Sequence, residues 1–494
     1  MSRRATLPVL AQSFAERGSA RVPRRLLVTL QLGEMPEHIP AWRAVTQHGI
    51  APAERIDGGV IDRLLRHHGG AARCARVHSA RSPRSTAISG ARRFDEVEQL
   101  SGVARVLRIE LAQDDSVHEL VAALRQVPTV DSALAEQLSF APLDAGHAFA
   151  QTTPVYDPHE AWATRELIRL PQALGYTRGD ATVIVGLADT GVFAEHRALA
   201  ASAMRRGFDT VDLNPATLGG LELIGDNRGK DEDPSDEVGH GTGCAGILRA
   251  DGLELPPGAA GLCSLLPVRV LGAALSGTRR VGVGSIANID AGMKRLIDLG
   301  VKVINMSFGT AESQLSPGGA LPHLEVVRYA LARGVVLVAA SGNSGLAERY
   351  FPAAHEGVIA VGSVSPRAEP SKFSTRGAHV ALCAPGEGIW TCGLSDTLQR
   401  ASGTSFAAPF VSAACALIVA RADARAWPLN AENVRSLLTE SCQPHVRADT
   451  EGCGAGVLDV WNALRALDTA IDRDSDDVPD APDASAIPDA PHSA

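Results

Sequence analysis

The chain is expected to fold as α/β: a doubly wound, mostly parallel sheet, preceded by a small α+β domain and followed by a disordered acidic tail. Three observations predict this. First, apolar runs of strand length recur at 181–188, 265–271, 301–306, 334–340 and 358–364, with little polar alternation, as in parallel strands covered on both faces. Second, helical patterns lie between them at 241–248, 286–299 and 323–332. Third, residues 410–420 are apolar on nearly every side, as in a helix buried all round. That run is too short for a membrane span and follows Gly403, Thr404, Ser405 and Pro409. Because proline is tolerated near a helix start, the helix is expected to begin at about Thr404 or Ser405.

Residues 1–140 read differently. A strand is expected at 25–32, a helix at 61–68 with Ile61, Leu64 and Leu65 on one face, and a strand at 72–78. Residues 83–90 read as loop. A strand at 106–111, a helix at 116–125 and a strand at 129–138 complete the block. The order is βαβ–βαβ, a split-βαβ arrangement of ferredoxin-like type. Residues 33–60 yield no reading. Residues 141–159 have linker composition, and 160–467 form the doubly wound domain. From 468 to 494 the chain is rich in Asp and Pro, with seven Asp and one Arg after residue 470, which predicts an unfolded, solvated tail.

The 494 residues suffice for two or three domains. The net charge of −9 is uneven, since residues 1–90 hold 14 Arg against 6 acids. Without aromatic interleaving, that excess predicts a solvated face or a complement to acids elsewhere in the chain, not a nucleic-acid site. No continuous apolar stretch follows Met1-Ser2-Arg3-Arg4, so no export signal is expected, and no membrane partner. The eight Cys are dispersed with no CxxC, which predicts free thiols; Cys442 and Cys453 are the one pair to test for a disulfide.

Open parallel sheets place their sites at the carboxyl ends of strands. Asp189 ends the first run, His240 opens a helix, Asn343 follows the run through Val338, and Ser405 opens the buried helix. Acyl transfer needs a nucleophile, a base, a group that orients the base, and a donor for the developing oxyanion. These four residues supply the types. Taken singly, each has a structural alternative: a turn at Asp189, a helix cap at His240 or Ser405, an Asx-turn at Asn343.

The motifs ATVIVGLADTGV (181–192), GHGTGCAG (239–246), INMSFG (304–309), VAASGNSG (338–345), YFPAAHEGVIAVGSV (350–364) and SGTSFAAPFVSAACAL (402–417) together resemble those of the subtilisin-like serine proteases, the subtilases. The resemblance covers about 160–467. It implies a serine endopeptidase acting through an acyl-enzyme, with Ser405 as nucleophile, His240 as base and then acid, Asp189 orienting His240, and Asn343 with the Ser405 N–H as oxyanion hole. It further implies that Ser307, Phe308 and Gly309, with Ala340, Ser341 and Gly342, wall the first specificity pocket. Val283, Gly284 and Ser285 would form its edge strand. An extended peptide would add there as a strand, so recognition is expected to be permissive, with apolar or small side chains before the cut and Arg349 or Tyr350 at the pocket base.

Gly243 and Cys244 stand where the family often has His and Val, and Phe406 where it often has Met; Cys244 is expected to be a small buried hydrophobe beneath His240. Residues 107–137 resemble the end of a subtilase propeptide. The resemblance implies an intramolecular chaperone and inhibitor whose last strand leads into the cleft, and leaves its removal open. No cofactor is required. Calcium is common in the family, and Asp226, Asp231, Asp233 and Asp236 offer oxygen ligands without an identifying spacing; a solvated loop is the alternative. The partners are a protein or peptide substrate and the chain's own N-terminal domain. Two alternatives to a broad endopeptidase stand beside it: a silent or autoinhibited peptide-binding regulator, and a maturation protease dedicated to one partner peptide.

Overall fold

The computed structural model describes residues 21–81, 94–141, 155–199, 204–214, 221–228, 231–276, 279–315, 319–446 and 450–476. The expected loop at 83–90 and most of the linker and acidic tail lie outside them.

Among the described residues, four strands come first: β1 (Arg21–Leu30), β2 (Ala72–Arg76), β3 (Val106–Leu111) and β4 (Val130–Phe140). They pair antiparallel in the order β2-β3-β1-β4. Side chains alternate across a strand. Leu26, Val28 and Leu30 therefore share a core with Leu107, Ile109 and the helices Val60–Gly69 and Val117–Leu124, while Leu27 and Val106 face away from it. That second face is also covered: Leu27 and Val106 pack with Ile286 and Ala287 of the following domain. The unread stretch 33–60 holds a short helix, Trp42–His48, and two bridges onto the β2 region, Ala41 to Arg76 and Ala53 to Cys74.

The next strands are β5 (Ile184–Asp189), β6 (Phe208–Asp209), β7 (Glu222–Ile224), β8 (Ser264–Arg269), β9 (Gly272–Ser276) and β10 (Arg279–Ser285). After them come β11 (Val303–Met306), β12 (Thr310–Ala311), β13 (Val336–Ala340), β14 (Tyr350–Phe351), β15 (Val358–Val364), β16 (Val380–Pro385), β17 (Ile389–Cys392) and β18 (Leu398–Ala401). Seven of these form the central sheet, all parallel, in the order β16-β15-β13-β11-β5-β8-β6. Burial of both faces accounts for their unbroken apolar runs. Helices His240–Arg249, Ile286–Asp298, Leu324–Ala332 and Thr404–Ala424 pack on it. The last has the length and apolarity of a membrane span, but 94% of its apolar window is buried inside the domain.

Two expectations are corrected. Linker composition at 141–159 gives way at Asp157, whose carboxylate accepts from His159 N at 2.8 Å and caps the helix Pro158–Leu167. The acidic tail does not begin at 468: the helix Val460–Asp476 runs through it. Three of its acids after residue 467 are partnered there. Asp468 accepts from Arg421 at 3.0 Å, Asp472 from Arg425 at 2.9 Å and Asp474 from Trp427 Nε1 at 2.9 Å. Residues 477–494 lie outside the described residues.

The N-terminal sheet does not stop at β4. Antiparallel pairing of Phe140 with Val283, Ser139 with Gly284 and Leu138 with Ser285 joins β4 to β10, and the sheet continues through β9 and β7 to seven strands. Buried ionic contacts hold the seam. Lys294 Nζ lies 2.7 Å from Glu98 and 2.7 Å from Asp298, and Arg108 stacks 3.9 Å from the Trp42 ring while reaching Asn288 and Asp212. Arg43 pairs with Glu232, and Trp42 Nε1 donates to Asp212 at 3.0 Å. Part of the N-terminal basic excess thus meets acids of the second domain.

Candidate active site

Asp189 is the last residue of β5, fully buried. Its Oδ1 accepts from Thr190 N and from His240 Nδ1, both at 2.7 Å. His240 is the first residue of its helix, so the two side chains meet where a strand ends and a helix starts. With Nδ1 held by a carboxylate, the imidazole is fixed in orientation and Nε2 lies on its far edge. The ring packs against Phe406, centroids 5.4 Å apart, the residue directly after Ser405.

Gly239 N and Val238 N donate to Asp236 Oδ1 at 2.9 and 2.8 Å, Thr190 Oγ1 donates to it at 2.9 Å, and Thr242 donates twice to Oδ2, at 2.9 and 2.7 Å. Gly241 N in turn donates to Thr190 Oγ1 at 2.9 Å. This buried carboxylate ties the residue after Asp189 to those flanking His240. Burial pushes its pKa up while the bonds from Gly239 and Thr242 oppose the shift. The sequence placed Asp236 in an acidic loop, with calcium ligation or plain solvation as the alternatives; its position four residues before a buried helix was the available clue. Asp226 and Asp231 of that loop and Asp209 of β6 bring carboxylates within 4.8 Å of one another. Arg269 already supplies a cation there, 2.6 Å from Asp209, 2.5 Å from Glu237 and 2.5 Å from the Asp226 carbonyl. The guanidinium thus neutralises part of this acidic cluster through Asp209 and Glu237.

Ser405 is the second residue of the 21-residue helix Thr404–Ala424, whose N-cap is Gly403. Pro409 is four residues on and has no N–H, so the Ser405 carbonyl loses its helical partner. Ser307 Oγ donates to that carbonyl at 2.9 Å and Cys244 Sγ at 3.4 Å. Asn305 Nδ2 holds Ser307 Oγ at 2.9 Å, and Ser412 Oγ holds Asn305. Cys244 is buried as expected, and burial together with the Asp189 charge raises its pKa well above the ordinary thiol value. Ser405 Oγ itself lies 3.4 Å from the Ser307 carbonyl.

Asn343 follows β13. Its Oδ1 accepts from Thr404 N and Thr404 Oγ1, both at 2.9 Å, which fixes the amide orientation. Its Nδ2 is buried with no acceptor among the described residues. A methyl placed on Gly403 would lie 3.1 Å from that Nδ2 and 3.8 Å from Ser405 N. Two nitrogens therefore border one small space that glycine leaves open, two residues before Ser405.

The residues expected to wall the first pocket lie near one further segment of the chain. Gly309 and Phe140 exchange both backbone bonds, at 3.2 and 3.4 Å, and Ala141 N donates to Gly282 O at 3.1 Å. The edge Val283, Gly284 and Ser285 is paired with Phe140, Ser139 and Leu138. Residues 138–141 of the same chain thus lie between the 282–285 edge and Gly309. Phe308 is buried, Ala340 ends β13, and Ser341 Oγ donates to Thr375 O at 3.1 Å. Gly342 sits at φ 110°, and a methyl there would come 2.6 Å from the Tyr350 ring. Of the two residues considered for the pocket base, Tyr350 lies against Gly342, while Arg349 is exposed and paired with Glu312. All eight cysteines are free thiols; Cys442 Sγ meets Leu438 O, and the neighbour of Cys453 is Cys383, whose Sγ lies 3.2 Å from the Cys453 carbonyl.

The sequence model of the subtilase family, peptidase group S8, matches residues 180–456, the span that carries all of these groups except residues 138–141. The chain belongs to the subtilase family. Subtilisin DY of Bacillus licheniformis is 33% identical over 302 residues, covering 60% of this chain and 94% of that protein. Thermitase of Thermoactinomyces vulgaris is 34% identical over 258 residues, covering 51% and 80%. A solved structure of a protease from Pseudoalteromonas arctica is 25% identical with a TM-score of 0.53, covering 64% of this chain and all of that one. As a subtilase the chain is a serine peptidase acting on proteins or peptides, and its central parallel sheet is the subtilisin-like fold.

Proposed function

We propose that this subtilase is an endopeptidase in which Ser405 attacks the peptide carbonyl, His240 takes and returns the proton, and Asp189 holds His240 in the required tautomer. Asn343 Nδ2 and Ser405 N receive the oxyanion. The observation that carries the reading is the space above Gly403, bordered by an unsatisfied buried amide and the first turn of a helix, where negative charge is favoured. The reaction so read uses no cofactor. Residues 307–309 and 340–342 bring no charge to the first pocket, which favours apolar or small residues before the cut. The peptidase domain is taken to begin near residue 160, where the linker gives way to helix.

The N-terminal block is read as a ferredoxin-like inhibitor and chaperone. The β2-β3-β1-β4 order with helices after β1 and β3 supports the first part, and the position of residues 138–141 between the 282–285 edge and Gly309 supports the second. The same position favours one second reading: a chain that stays autoinhibited and acts as a peptide-binding regulator. A fluorophosphonate probe with mass spectrometry separates the two. Labelling of Ser405 that disappears in Ser405→Ala supports catalysis; an unlabelled Ser405 at millimolar probe overturns it. The same spectra report whether the N-terminal block is cleaved off.

A further inference from the structure

Ser139 is the β4 residue paired with Gly284, and its side chain is fully buried. Its Oγ lies 2.7 Å from Thr310 Oγ1 and 3.4 Å from His323 Nε2. On its other edge His323 presents Nδ1 to Asp290 Oδ1 at 2.5 Å, and the ring stands edge-on to Phe308, centroids 5.8 Å apart. Thr310, His323 and Asp290 are all buried, and none contributes to the Asp189–His240–Ser405 group. They form a buried polar nest with Phe308 against the imidazole. One small hydroxyl, able to donate and accept, completes it.

The ladder sets which substrate residue this nest would read. Phe140 is opposite Gly309. In antiparallel pairing two steps forward on one strand match two steps back on the other. A peptide lying in this register would therefore set the residue three beyond its Ser139 equivalent opposite Ser307, whose carbonyl is 3.4 Å from Ser405 Oγ. The nest then faces the fourth residue before the attacked bond.

We infer that Thr310, His323 and Asp290 form a specificity pocket that selects a small hydroxyl side chain, serine foremost, at the fourth substrate residue before the cleaved bond. The inference rests on the proteolytic reading and sharpens the permissive recognition expected from main-chain pairing alone. An apolar side chain at that position would leave Thr310 Oγ1 and His323 Nε2 buried without it. Sites built to bond a hydroxyl discriminate strongly against analogues lacking one.

The test is a set of peptides identical except for Ser, Thr, Ala, Val or Leu at that position, cleaved by the full chain, with fluorophosphonate titration of Ser405 counting competent enzyme. The expected kcat/KM favours Ser over Val by about ten- to a hundredfold. In Thr310→Val/His323→Leu that ratio falls to about one or inverts. Cleavage indifferent to the position, or favouring Leu, in the wild-type chain overturns the inference while leaving proteolysis intact. Absent labelling and absent cleavage overturn the proteolytic reading instead. A second measurement needs no turnover. In a Ser405→Ala background, Ser139→Val speeds hydrogen exchange of the 138–141 amides about tenfold and Ser139→Thr much less; equal protection in Ser139→Val overturns the inference.

Discussion

Asn343 spends its carbonyl on Thr404 and leaves its amide N–H pair buried and unaccepted, an arrangement that costs stability unless an acceptor arrives. An oxyanion is such an acceptor, and it exists only in the transition state. Asn343→Ala is therefore expected to lower kcat by about 10²- to 10³-fold with KM nearly unchanged, measured on any cleaved peptide. His355 illustrates a different residue-level balance. Its Nε2 lies 2.6 Å from the Pro322 carbonyl, and burial depresses its pKa to about 4. The unfolded chain takes up this proton as the pH falls below about 6.5, whereas the folded chain waits until about 4. Stability from this group is present above pH 6.5 and is lost on acidification through that window, at up to about 1.4 kcal/mol per pH unit. Denaturant titrations at pH 7 and 4.5 should show the loss, and His355→Gln should reduce it.

At the scale of elements, the Thr404–Ala424 helix accepts a proline in its second turn because another element repairs the damage. Ser307, at the end of β11, and Cys244, on the His240 helix, donate to the carbonyl that Pro409 orphans. Three elements of the site are thereby locked to one oxygen. Ser307→Ala leaves only the weaker thiol donor and is expected to destabilise the chain by about 1–2 kcal/mol in urea unfolding. A drop in Ser405 labelling rate should accompany it, since the serine rides on the same turn. A variant unfolding at wild-type urea concentrations would show that the thiol alone suffices.

Across the whole molecule, the two domains share one sheet and a buried seam. Lys294 of the peptidase domain is enclosed by Glu98 and Asp298, with Glu98 contributed by the N-terminal block. Lys294→Met would leave two carboxylates facing each other without a cation and is expected to cost about 3–5 kcal/mol, seen as a lowered thermal midpoint. The 138–141 segment is the other joint. Ala141→Pro removes the N–H that donates to Gly282 O, and should loosen residues 138–141. If these residues obstruct substrate, peptide turnover by the intact chain rises several-fold in that variant. An unchanged rate would mean that they do not limit access.

Periodicity is a local property, and what depends on it was legible from sequence alone. Strands at 106–111 and 358–364 have the anticipated bounds, and the buried helix begins at Thr404 as Pro409 demanded. The family motifs likewise marked Asp189, His240, Asn343 and Ser405 before any distance was known. Only the tertiary structure decided the rest. The acids after residue 467 read as an unfolded tail because their partners, Arg421, Arg425 and Trp427, lie 47 positions away in sequence. Asp236 read as a surface acid because the two threonines it holds are recognisable only once strand and helix ends meet. Ser139, Asp290, Thr310 and His323 carry no shared signal along the chain at all. Sheet order and strand register bring them together, and neither is written in the spacing of residues; both follow from which strand edges remain unpaired when the two domains close on each other.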